Sequence, residues 1–132
     1  MAKPVKSKPL QALPDIPPKW VLLAADANLR GGCWENYYEV LCGYYGIPPI
    51  RATVNYMLDA TKLEAHFVGS EPPRIESPQL SMGKRTALHE FFHYLIFVIR
   101  GKNGGEGEQA LADAFARACM EKDLWSTTEN GV

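Results

Sequence analysis

The chain has 132 residues, enough for one ordinary domain and too few for two. It is 46% hydrophobic and 22% charged, so it carries material for a core and lacks the composition of a disordered chain. A net charge of −1 gives no footing for nucleic-acid or anionic-membrane binding. The prolines that follow Lys3, Lys6 and Lys8 stand where a secretory signal would have an apolar run.

Residues 1–18 contain Pro4, Pro9, Pro14, Pro17 and Pro18 and are expected to form a partly disordered tail. A single domain is expected over 19–125, with a flexible C-terminus over 126–132. Trp20 to Ala25 is a short apolar run that periodicity leaves open between strand and helix. Trp34, Tyr37, Tyr38, Leu41 and Tyr45 recur at helical spacing, with Glu35, Asn36 and Glu39 on the other side. Gly46 and Pro48-Pro49 end that helix. Ile50, Ala52, Val54 and Tyr56 then alternate with Arg51, Thr53 and Asn55, the pattern of a half-buried strand, and Leu63, Ala65 and Phe67 repeat it against Glu64 and His66. The six residues between the two patterns suit an antiparallel connection. A third strand is expected near Arg74 to Gln79, at a sheet edge because Pro72-Pro73 and Pro78 bracket it. Two helices follow, about Lys84 to Arg100 and about Glu108 to Lys122. The first is apolar nearly all round and therefore buried; the Gly-rich loop between them makes an antiparallel helical hairpin. The fold class is α+β, with a small antiparallel or mixed sheet. The run from Thr86 to Ile99 is too short to span a bilayer and contains His89, Glu90 and His93. Cys33, Cys42 and Cys119 are odd in number and lack C-x-x-C spacing, which points to reduced, mostly buried thiols and away from a thiolate metal cluster.

His89-Glu90-Phe91-Phe92-His93 reads H-E-x-x-H. On a helix, residues i and i+4 share a face, so both imidazoles can hold one zinc ion. Glu90 lies about 100° round the helix, beside that ion. There a carboxylate can take a proton from the water that zinc acidifies and pass it to a leaving amine. With three histidines in the chain, chance would produce the motif about once in 200 such sequences. The helix is also a costly place for these side chains unless they are paired or bind metal.

The segment Lys84 to Leu95 resembles the R-x-T-x-x-H-E-x-x-H helix of the ImmA/IrrE-type zinc metallopeptidases, and Ala112-Asp113-Ala114-Phe115-Ala116 is similar to that family's A-(N/D)-x-F-A segment. The resemblance spans roughly residues 34–122 and implies a minimal zincin-like (gluzincin-like) domain with one zinc ion. It further implies a cytoplasmic regulatory peptidase acting on a specific protein, often a transcriptional regulator, with no membrane partner. Ile96 and Ile99 occupy the Gly and third-His positions of the metzincin extension, which sets that class aside.

The sequence departs from the family at the third ligand. The expected Glu position, four residues before Asp113, is Gln109. Glu108 is the first alternative, through a shift at the helix start, and Asp113 the second; Gln109 itself and Glu106 stay open. In the family pattern Asp113 would instead hydrogen-bond a ligand histidine. The metal set expected is thus His89 and His93 with Glu108 or Asp113, and the catalytic base is Glu90. His66 falls on the polar face of its strand and reads as a solvated or surface-bonded side chain. Tyr94 and Tyr56 read as packing residues, though either could donate to an oxyanion. The competing reading, motivated by Gln109, is a catalytically silent zinc-stabilised regulatory or interaction module. A third is a small structural protein without metal.

Overall fold

A computed structural model describes residues 14–29, 33–70, 72–79, 82–105 and 107–130, with side chains in the last helix described as far as 122. The expectation for residues 1–13 and the position of Glu106 lie outside the described residues. The chain folds as α+β. The order is α1 (Lys19–Ala27), α2 (Trp34–Tyr45), β1 (Arg51–Val54), β2 (His66–Val68), β3 (Arg74–Ser77), α3 (Lys84–Arg100) and α4 (Glu108–Asn130).

The apolar run at Trp20 is helical. Val21, Leu22 and Ala25 are buried, while Trp20 is 70% exposed. Residues 14–18, just before it, lie against the rest of the domain. Pro17 is buried, Ile16 packs on the core, and the Tyr45 hydroxyl donates to the Asp15 carbonyl. In α2 the aromatic stripe faces inward as its period requires, with Tyr37, Tyr38 and Leu41 almost wholly buried. Gly46, at φ 70°, supplies the left-handed residue that ends the helix. Glu35, on the outer side of α2, accepts from Arg51 Nε and Ala52 N, both at 3.0 Å, and so ties α2 to β1.

The sheet corrects two expectations. β1 and β2 do not pair. β3 lies between them, parallel to β1 and antiparallel to β2, in the order β1-β3-β2. β3 is therefore central, not an edge. Pro72, Pro73 and Pro78 stand outside the four paired residues Arg74–Ser77, so none of them has to donate to the ladder. β1 also ends earlier than its alternation suggests. Asn55 Oδ1 accepts Met57 N at 3.0 Å, which turns the chain and leaves Tyr56 75% exposed.

α3 is the buried centre. Ala87, Leu88 and Phe91 to Ile96 are all enclosed. Tyr38 stacks on Phe91 with ring centroids 5.8 Å apart and donates from its hydroxyl to the Ala87 carbonyl at 3.0 Å. The start of α3 is capped from a distance: the Glu64 carboxylate, in the loop before β2, accepts from Gly83 N–H and the Thr86 hydroxyl. Phe115 of α4 meets Phe92 at 5.4 Å. The contacts run His89 with Asp113 and His93 with Glu108, which makes α3 and α4 antiparallel, as the short loop requires. α4 continues to Asn130, beyond its expected end near Lys122 and through the start of the stretch expected to be flexible. Cys33, Cys42 and Cys119 are free thiols, the last two buried. No helix among the described residues is long and apolar enough to cross a membrane.

Candidate metal centre

Helical period places His89 and His93 on one face of α3, and the antiparallel packing of α4 lays Glu108, Gln109 and Asp113 against that face. Each imidazole is gripped at Nδ1 by a different carboxylate. Asp113 Oδ1 lies 2.7 Å from His89 Nδ1, and Glu108 Oε2 lies 2.6 Å from His93 Nδ1. A carboxylate oxygen can only accept, so both Nδ1 atoms donate, and in the neutral rings both Nε2 atoms carry bare lone pairs.

Those lone pairs meet. The two Nε2 atoms are 3.3 Å apart, and Gln109 Oε1 lies 2.9 Å from His89 Nε2 and 3.3 Å from His93 Nε2. Three acceptor atoms thus converge with no proton among them when the rings are neutral. Two donors at about 2.0–2.1 Å from a tetrahedral zinc ion would be about 3.3 Å apart, which this spacing matches. Among the described residues no three His, Cys, Asp or Glu side chains are grouped to hold a metal; the third converging atom here is an amide oxygen. Glu108 and Asp113 are both brought to the histidines, but on the Nδ1 side, and Gln109 occupies the Nε2 side.

Glu108 is one of the few buried charged groups, 5% exposed. Besides His93 it accepts from Asn103 Nδ2 at 2.7 Å and Gly104 N at 3.1 Å. Burial pushes its carboxyl up, but the bonds from His93 and Asn103, the nearby His93 ring and the Gly104 N–H outweigh that and hold it below the usual range. Glu90 behaves oppositely. Burial dominates and raises its carboxyl above the ordinary value, against the pull of His93, His89, the Phe67 N–H and His66. Its Oε1 accepts from Phe67 N at 2.8 Å, so it sits on the outer edge of β2.

A cleft of about 780 Å³ opens over these groups. Glu90, His93, Glu108 and Gln109 line it, β2 contributes His66 and Phe67, and the α3–α4 loop contributes Asn103, Gly104 and Gly105. His66, read as solvated or surface-bonded, is partly buried and bonded to Glu76. The register pairs the two residues directly, with Nε2 3.1 Å from Glu76 Oε1. Arg74 Nε donates to the other Glu76 oxygen at 2.6 Å. That bond first, then His66, holds the Glu76 carboxyl low.

Sequence reasoning missed His66 and Asn103 as cleft residues. Alternation put His66 on the polar face, but its cross-strand partner depends on a strand order that no local pattern encodes. Asn103 sits in the loop that ends α3 and carries no periodic signal. Tyr94 is buried, with its hydroxyl donating to the Pro48 carbonyl, and Tyr56 is not among the cleft residues. Comparison of the chain with family models, with curated proteins and with solved structures found no match.

Proposed function

We propose that the protein is a zinc-dependent peptidase of the H-E-x-x-H type, with His89, His93 and Gln109 as the zinc donors and Glu90 as general base and acid. The observation that carries this reading is the convergence of three acceptor atoms, His89 Nε2, His93 Nε2 and Gln109 Oε1, beside the partly buried Glu90 carboxylate in an open cleft. Gln109 replaces the expected Glu108 or Asp113 as third donor, because those two carboxylates are spent orienting the histidines. Zinc on three neutral donors would supply a Lewis acid that polarises a carbonyl and makes water acidic near neutral pH.

The chain's own groups do the rest. Asp113 and Glu108 hold the ring protons on Nδ1 and keep both Nε2 atoms free. Burial raises the affinity of Glu90 for a proton, which suits a group that must accept one from water and return it to the leaving amine. β2 is an outer strand of the sheet and borders the cleft, so a substrate main chain would lie along it. β3, enclosed by two neighbours, has no free edge to offer a substrate. The family resemblance extends the reading to a cytoplasmic protein substrate, with a transcriptional regulator as the first class to try.

The neutral third donor also favours a second reading, a zinc-stabilised module without catalysis. Glu90→Gln separates the two. Its amide oxygen can still accept from Phe67 N–H, so fold and zinc content are expected to persist. Cleavage of a fluorescence-quenched peptide library should fall by about 10²–10⁴-fold. Elemental analysis should give one zinc per chain in both proteins. Zinc without cleavage in the wild type would favour the silent module; no zinc would overturn both.

A further inference from the structure

We propose that Asn103 is a positioning residue for His93, fixing through Glu108 which ring nitrogen faces the metal position. The inference rests on the zinc reading above for its functional consequence.

Asn103 ties two parts of one histidine to the cleft loop. Its Nδ2 donates to the His93 backbone carbonyl at 2.8 Å and to Glu108 Oε2 at 2.7 Å. That same Glu108 oxygen accepts from His93 Nδ1 at 2.6 Å. The neighbouring Gly104 N–H holds the other Glu108 oxygen at 3.1 Å. The loop reaches this position because Gly101 and Gly104 take left-handed backbone, at φ 81° and 93°, which turns the chain back under the helix it has just left.

Ordinary helix capping does not account for the arrangement. The α3 carbonyls that capping has to serve lie at its end, from Phe97, which accepts from Gly101 N at 2.8 Å, onward. The His93 carbonyl lies a full turn before them, so Asn103 adds a second bond to a carbonyl that needs none. Nor does placing an acidic residue at the start of α4 account for Glu108, whose carboxylate is turned onto His93 and is 5% exposed. Without Asn103, Glu108 loses one of its three donors and its grip on Nδ1 loosens. His93 can then place its proton on Nε2, the nitrogen the ion requires bare.

The test uses the full chain with Asn103→Ala and Asn103→Leu. Leucine keeps the branched shape of asparagine but has no N–H and adds no charge beside Glu108, so a packing role would survive it and a donor role would not. Long-range ¹H–¹⁵N correlation of the metal-free protein reports which ring nitrogen of each histidine carries the proton. The wild type should show His93 protonated at Nδ1 alone. Both variants should spread that proton over Nδ1 and Nε2 while leaving His89 unchanged. Zinc affinity, by competition with a chromophoric chelator, should weaken about tenfold in both. A His93 pattern unchanged in both variants overturns the assignment, whatever happens to zinc affinity. A wild type that binds no zinc while the variants still scramble His93 overturns the zinc reading and leaves the role of Asn103 standing.

Discussion

Removing the Gln109 amide discriminates most sharply among the candidate third donors. Its oxygen lies 2.9 and 3.3 Å from the two Nε2 atoms, whereas the Glu108 and Asp113 carboxylates lie on the Nδ1 atoms. Replacing a group that only orients a ligand costs about 10–100-fold in metal affinity, so loss of a donor itself should exceed about 100-fold, or about 2.7 kcal/mol. Gln109 is exposed on the surface of α4, so Gln109→Ala should leave the fold intact and the loss is assignable to the site. Glu108→Gln is the control. It retains an oxygen for His93 Nδ1–H and should stay within the 10–100-fold range. Gln109→Glu should bind zinc at least as tightly as the wild type, since a carboxylate is the stronger donor. The assay is chelator competition on metal-stripped protein, with circular dichroism to check folding. Wild-type affinity in Gln109→Ala together with collapse in Glu108→Gln would refute the assignment and make Glu108 the ligand.

Three further outcomes follow from the packing and the charges. Phe115→Ala removes a wholly buried ring from the contact with Phe92 and should lower unfolding free energy by about 3–5 kcal/mol in urea; a loss below about 1 kcal/mol would mean that α4 is not held through this contact. Glu76 is held low by Arg74 and His66, so its folded value lies below its unfolded one. The stability it contributes is present above about pH 4.5 and is lost as the pH falls through the folded value; the urea midpoint should decline in that range, and Glu76→Gln should flatten the decline. Iodoacetamide on the folded protein should label Cys33 and spare Cys42 and Cys119, whose thiols are buried and pushed up to about 12; mass mapping showing equal labelling would contradict the enclosed core.

Local pattern was enough for much of this protein. The 3.6-residue period identified α2 and α3 with their buried faces, because burial of one stripe is what makes such a helix stable. Alternation found β1 and β2, and the i, i+4 spacing put His89 and His93 side by side whatever surrounds them. Glycine at 46 and 101 marked helix ends for a reason that is also local, the left-handed backbone required there.

Strand order, and the side of each ring that a neighbour grips, were decided only by the tertiary structure. Nothing within β1 or β3 states that they pair with each other; that choice is made by long-range packing, and it moved β3 from edge to centre and gave His66 the buried Glu76 as partner. The candidate third donor has the same origin. Residues 108, 109 and 113 are equally present in the sequence, and the choice between Nδ1 and Nε2 depends on the rotation of α4 against α3 and on a loop asparagine that no period predicts. Sequence spacing constrains groups on one element; the meeting of groups from two elements depends on long-range packing.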